Sequence, residues 1–176
     1  AIGSAGMVVL AVPANSVRDN VRRLREAMGN GPVILSASKG LEMESGKRMS
    51  QVMEEELPAH LHPGICVLSG PNLAKEIIQG KLSSSVVAGQ DQDHCRMAQD
   101  VLMSNTFRVY TSDDVIGVEL GGALKNIIAL GAGIADGLDA GDNAKAAFIT
   151  RGLAEITRLG VAAGAKPLTF AGLAGL

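Results

Sequence analysis

The sequence predicts an α/β fold over its first part, a parallel sheet with covering helices, and an all-helical region after it. Three observations carry this. Short β-branched runs alternate with amphipathic stretches as far as Thr111. The strand texture then stops at Ser112-Asp113-Asp114. After that comes a long Ala/Gly/Leu/Ile run in which Glu119 and Lys125 are the only charged side chains between Asp114 and Asp136. The boundary expected from this change assigns residues 1–112 to the sheet part and 113–176 to the start of a helical part.

The strand candidates are Met7–Val12, Pro32–Ser38, Ile65–Leu68, Ser85–Ala88 and Arg108–Tyr110, each short, apolar and bounded by Gly, Pro or Ser. Between the first two, Val17, Val21, Leu24 and Met28 recur at helical spacing, with Asn15 or Ser16 as N-cap. A second helix is predicted over Ser45–Leu57, closed by Pro58. A third runs from Asp91 to Ser104, with Cys95, Ala98, Val101 and Leu102 on one face. Strands alternating with helices read as βαβ units. From Ser112 a helix is expected to about Leu138, a turn over Gly137–Asp142, a helix over Asn143–Ala163, and another start near Pro167. The opening on a mid-sheet strand and the Gly-rich close at 171–176 read as a piece of a larger enzyme.

Composition narrows the function. The 176 residues are 47% hydrophobic, which favours a packed core over disorder. A net charge of -2, no Lys/Arg run longer than two, and 2% aromatic residues argue against a nucleic-acid partner. Cys66 and Cys95 form no CxxC pair, and His60, His62 and His94 show no zinc spacing with them, so idle thiols in a reducing, cytoplasmic setting are expected and no metal. The first twelve residues lack the basic start of a secretion signal. The run from Val115 to Leu138 is long enough to span a bilayer, but its Glu and Lys would each cost roughly 2.5–3.5 kcal/mol at the membrane centre, so no membrane insertion is expected.

Five segments are candidates for chemistry. Val8–Pro13 is a buried strand that places Pro13 at its carboxyl end, where open α/β sheets bind ligands. Leu35–Gly40 puts Lys39 beside a flexible glycine at the same edge, a point charge for a phosphate or carboxylate, or else a surface lysine. Val67–Ala74 runs strand, Gly70-Pro71, then Asn72 at the start of a helix whose free N–H groups suit an anion, or a plain turn. In the long apolar helix, Lys125 needs a reason, because desolvating an ammonium costs several kcal/mol. It is either a snorkelling or paired lysine, with Glu119 as the partner, or a lysine whose proton is used. Gly121 and Gly122, one turn earlier, leave a slot for a small substrate or serve close helix packing. Burial and a cation such as Lys39 would lower the Lys125 pKa toward neutrality. Finally, Arg151, Glu155 and Arg158 read as a structural ion-pair network. No GxGxxG follows a strand, so residues alone point to a nicotinamide only indirectly.

These segments in this order resemble the NAD(P)-dependent sn-glycerol-3-phosphate dehydrogenases. The matches are LAVP at 10–13, SKGLE at 38–42, LSGPNLAKEI at 68–77 and VELGGALKNIIALGAGIADGL at 118–138, with ITRGLAEITRLG at 149–160 and FAGLAGL at 170–176. The resemblance implies a Rossmann-like parallel sheet, present in part, followed by an all-α domain, also in part. It implies hydride transfer between glycerol 3-phosphate and dihydroxyacetone phosphate with NAD or NADP. Lys125 matches the catalytic proton acceptor. Lys39, Gly70, Asn72 and Asn126 fall at substrate-binding positions; Pro13, Lys39 and Ala74 fall on the cofactor side. Many bacterial relatives carry Ser where Asn72 stands, and Asn also donates or accepts a hydrogen bond. The family's Gly-rich cofactor loop and its later Asp and Ser-Arg-Asn cluster would lie outside these residues, so the chain alone is expected to turn over little. A small phosphorylated substrate is the expected partner, with a homodimer as a further expectation. Two other readings stand beside this one: a β-hydroxyacid-type dehydrogenase with a carboxylate substrate, and a non-catalytic helical assembly module.

Overall fold

The computed structural model describes residues 2–29 and 31–175. Five strands form one sheet in the order β1-β2-β3-β4-β5: β1 Met7–Leu10, β2 Val33–Ser36, β3 Ile65–Ser69, β4 Ser83–Gly89 and β5 Phe107–Ser112. The helices are α1 Val17–Leu24, α2 Met49–Glu56, α3 Ala74–Ile78, α4 Gln92–Leu102, α5 Val115–Gly137 and α6 Asp142–Ala162. Short 3-10 turns cover Ala14–Ser16, Ala59–Gly64 and Pro167–Ala171.

The sheet is not wholly parallel. β1, β2 and β3 pair in parallel, as do β4 and β5, but β3 and β4 pair antiparallel, with Ser69 opposite Val86. The physical reason is the link between them. Only residues 70–82 separate the two strands, and their helix α3 has five residues, so the chain turns back at the edge without crossing a face.

Strand alternation sorts the core. Val33, Leu35, Cys66, Val87 and Val109 face α4, where they enclose Cys95 and Ala98. Leu10, Ile34 and Ile65 face the opposite way and meet Val17 and Val21 of α1 and Met49, Val52 and Met53 of α2. Further along that second face, Val67 and Ala88 pack on Val118 of α5 and on Ala174.

Several boundaries differ from the sequence reading. β1 stops at Leu10, and α1 stops at Leu24 with Met28 still packed on the core. Neither Asn15 nor Ser16 caps α1 through its side chain. α2 begins at Met49, not Ser45, because residues 41–48 fold back as a hairpin. Leu41 bridges Arg48, Glu42 N–H donates to Lys47 O at 2.9 Å, and Gly46 takes φ +67° in the turn. Arg18 of α1 grips this hairpin through Glu42, with both guanidinium–carboxylate bonds at 2.8 Å, and also bonds Glu55 and Glu56 of α2. Two predicted starts hold: Asp91 accepts from the N–H groups of Asp93 and His94, and Asp114 accepts from Gly117 N–H at 2.9 Å.

α5 has the length and composition of a membrane span. Its first half nevertheless packs on the sheet, with Gly117, Val118, Leu120, Gly121 and Gly122 buried and Glu119 ion-paired. Arg151–Glu155 and Arg158–Glu155 are present on α6 as exposed pairs at 3.3 and 3.2 Å.

Candidate active site

Three segments meet where β2 and β3 end. The first is the Ser38–Gly40 turn after β2. Ser38 Oγ donates to Val12 O at 2.6 Å, tying the turn to the end of β1. Gly40 takes φ +126°, a conformation that a side chain would strain, and a Cβ there would also meet Ala14 at 3.2 Å. Lys39 lies at the crest of this turn. The residue as a whole is exposed, but its ammonium donates to Gly70 O at 2.9 Å. Burial lowers its pKa.

The second segment is Ser69–Leu73, after β3. Gly70 sits where only glycine fits: a Cβ would stand 2.8 Å from Ser84 O. That close approach lets the Gly70 carbonyl reach Lys39. The Asn72 amide nitrogen donates to Ser85 Oγ on β4, while its Oδ1 is enclosed with no protein partner. The helix that follows corrects the sequence reading. α3 is a single exposed turn, so its end offers little of the anion site expected there.

The third segment is α5. Lys125 is half-buried, and its Nζ is enclosed without a hydrogen-bond partner. Its pKa falls from 10.5 to about 8, first because of burial and second because of the Lys39 ammonium. The glycines before it do not leave the open slot that the sequence allowed. A Cβ on Gly121 would meet Ala174 O at 2.6 Å, and one on Gly122 would meet Ser69 Oγ at 2.3 Å. Their missing side chains are used for close packing, which brings α5 and its lysine down onto the end of β3.

The remaining expected positions lie around this centre. Pro13 is exposed at the end of β1, and its carbonyl accepts from Ser16 N–H at 2.8 Å. Ala74 opens α3 and is exposed. Asn126 is exposed beside Lys125, and the two line a groove of about 250 Å³ between α5 and α6. The fold thus joins Lys39 to Gly70 and sets Lys125 within reach of the Lys39 charge. Among the described residues, no side-chain hydrogen bond ties Pro13, Ala74 or Asn126 to those three.

Glu119 is not the partner of Lys125. It accepts from Arg48 and from both the N–H and Oγ of Ser50. Residue order did not point to Arg48, Ser50, Ser69 or Ser85. The available signal for Ser69 was parity: it shares a strand face with Val67, the face that meets α5.

A model of the NAD-dependent glycerol-3-phosphate dehydrogenase N-terminus matches residues 1–95, and the corresponding C-terminus model matches residues 114–176. The chain belongs to the NAD-dependent glycerol-3-phosphate dehydrogenase family. Among curated relatives, a glycerol-3-phosphate dehydrogenase [NAD(P)+] from Dehalococcoides mccartyi is 52% identical over 176 residues, all of this chain and 49% of its own length. One from Moorella thermoacetica is 53% identical over 176 residues, again all of this chain and 51% of its own length. The crystal structure of glycerol-3-phosphate dehydrogenase from Coxiella burnetii superposes with a TM-score of 0.87 at 36% identity, over 97% of this chain and 51% of that one. That of Saccharomyces cerevisiae gives 0.85 at 29% identity, over 99% and 53%. The chain therefore spans about half the length of the relatives it matches.

Proposed function

We propose that the protein carrying this chain is an NAD- or NADP-dependent dehydrogenase that interconverts sn-glycerol 3-phosphate and dihydroxyacetone phosphate, with Lys125 as the proton acceptor and donor. The observation that carries this is Lys125 itself: an enclosed ammonium with no partner, a pKa near 8, on a helix pressed against the Lys39–Gly70 contact. A lysine in that state exchanges its proton near neutral pH. The family membership supplies the substrate class and the cofactor.

The residues present fit the substrate end of such a site. The unpartnered Lys125 Nζ, the Lys39 ammonium with its bond to Gly70 O, and the free Asn72 Oδ1 suit a small phosphorylated alcohol or ketone. When bound, the nicotinamide supplies or accepts the hydride. Lys125, as the neutral amine, takes the hydroxyl proton in oxidation and returns it in reduction. Lys39 holds the substrate as a point charge, and its bond to Gly70 O fixes its reach. Gly70 and Asn72 orient the substrate from the β3 side, and Asn126 does so from the α5 side. Pro13, Lys39 and Ala74 lie where the cofactor would pass the strand ends.

The test is Lys125→Met in the whole protein, assayed with dihydroxyacetone phosphate and reduced cofactor. Loss of proton transfer lowers kcat by about 10²–10⁴. An unchanged kcat would remove Lys125 from the reaction.

A further inference from the structure

The cavity of about 10 Å³ beneath α5 is lined by Lys39, Ser38, Ser69, Gly122 and, as its sole acidic residue among those described, Glu119. Glu119 is nearly buried, with 7% of its side chain exposed. A carboxylate lining the same cavity as Lys39 would ordinarily pair with its ammonium and hold it charged. Here it does not. Oε1 accepts from Ser50 N–H at 2.7 Å. Oε2 accepts from Ser50 Oγ at 2.6 Å and from the Arg48 guanidinium, which also donates to Ser50 Oγ at 2.8 Å. The carboxylate is thus taken up by three donors, all at the first turn of α2. That turn ends the hairpin that begins directly after Lys39 and Gly40.

We propose that the Arg48–Ser50 clamp on Glu119 is a positioning device that registers the Lys125 helix against the Lys39 turn and keeps the carboxylate of their shared cavity from pairing with Lys39. This rests on the reading of Lys39 and Lys125 as substrate and proton-transfer residues. Among the described residues, the groups that face Glu119 are Arg48 at the end of the hairpin, Ser50 from α2 and Lys39 across the cavity. Beyond Arg48, the next cleft is lined by Glu54, Asp113, Asp114 and Lys166. Asp113 is paired with Lys166, and Asp114 is bonded to Gly117 N–H, Lys166 N–H and Thr169 Oγ. On the α6 side of Lys125 the groove is lined by no other charged residue among those described. A Glu119 released from its clamp therefore faces Lys39, the other charged residue lining its cavity among those described.

The test reads the lysines directly. The whole protein is reductively methylated with ¹³C, and the Lys39 and Lys125 signals, assigned with Lys39→Met and Lys125→Met, are titrated by NMR. In Arg48→Met the carboxylate, still held by Ser50 but without its only ion pair among the described residues, raises at least one of the two midpoints by about one pH unit. Glu119→Gln raises neither, and the double variant Arg48→Met/Glu119→Gln returns to the Glu119→Gln values. Should Arg48→Met fail to fold, Ser50→Ala removes one donor and gives a smaller shift of the same sign. An Arg48→Met protein that is merely less stable, with both midpoints unmoved, overturns the proposal. So does a shift that persists in the double variant. The midpoints need no turnover, so a protein inactive on dihydroxyacetone phosphate would refute the functional reading without deciding this one. If the protein is active, the pH limb of kcat moves with the midpoint in Arg48→Met.

Discussion

The two halves of α5 have much the same composition and opposite surroundings. From Gly117 to Gly122 the helix is buried, pressed by Ser69 and the Ala174 backbone at distances that exclude a Cβ. From Ile127 onward it packs on α6 along one side only, and Ile127, Leu130, Ile134 and Leu138 are 63%, 70%, 63% and 76% exposed. Lys125 stands at the change. The first half supplies the enclosure that lowers its pKa, and the second half lines the groove beside it. A run of apolar residues and glycines therefore says that a helix will form and seek contacts. It does not say which of its faces has found them.

The largest expected effect tests the role of the junction. Lys125→Met, at a cost of about 10²-fold or more in kcat, should leave the fold intact, so melting and kinetics measured on one preparation will move in opposite directions. Next in size is a contrast between the halves. Gly122→Ala drives a methyl into Ser69 and should destabilise by about 1–3 kcal/mol in chemical denaturation. Gly133→Ala meets nothing within 4 Å and should stabilise by about 0.5–1 kcal/mol through helix propensity. An equal loss at Gly133 would show that the second half is covered by protein outside these residues.

A smaller effect follows from linkage. Lys125 titrates near 8 in the fold and near 10.5 unfolded, so between those values the unfolded chain holds more protons. The burial cost is complete below about pH 8 and is relieved as pH rises toward 10.5. At neutral pH Lys125→Met should therefore stabilise by ~1 kcal/mol, a figure reduced for partial solvent access. That gain should vanish above pH 10.5 in a melting series. If Lys125 is the proton-transfer group proposed above, alcohol oxidation by the whole protein should rise, and ketone reduction fall, through about pH 8 in a pH–rate profile. The smallest effect belongs to the exposed face of α6: Glu155→Ala should change stability by no more than about 0.5 kcal/mol, because both of its partners are solvated.

Much of this was legible in residue order. Val17 and Val21, Met49 and Val52, and Cys95 and Ala98 recur at helical spacing, and all six are buried as that spacing requires. The break at Ser112 and the caps at Asp91 and Asp114 were readable for the same local reason, since short-range hydrogen bonds decide them. The 41–48 hairpin was not readable, because the Arg18–Glu42 contact that steadies it spans 24 residues. The β3–β4 reversal was not readable either. Strand direction depends on whether a connection crosses the sheet, and α3 proved too short to do so.

The sequence by itself determined the elements, the family and the identity of the unusual lysine, because periodicity, caps and motifs are written in neighbouring residues. Only the tertiary structure decided what surrounds that lysine. It filled the glycine positions with Ser69 and Ala174, turned Glu119 toward Arg48 and Ser50, and set Lys39 against Gly70. The reason is physical. A side chain's proton affinity depends on the charges and solvent within a few ångströms of it, and those neighbours come from strands and helices far apart in the chain.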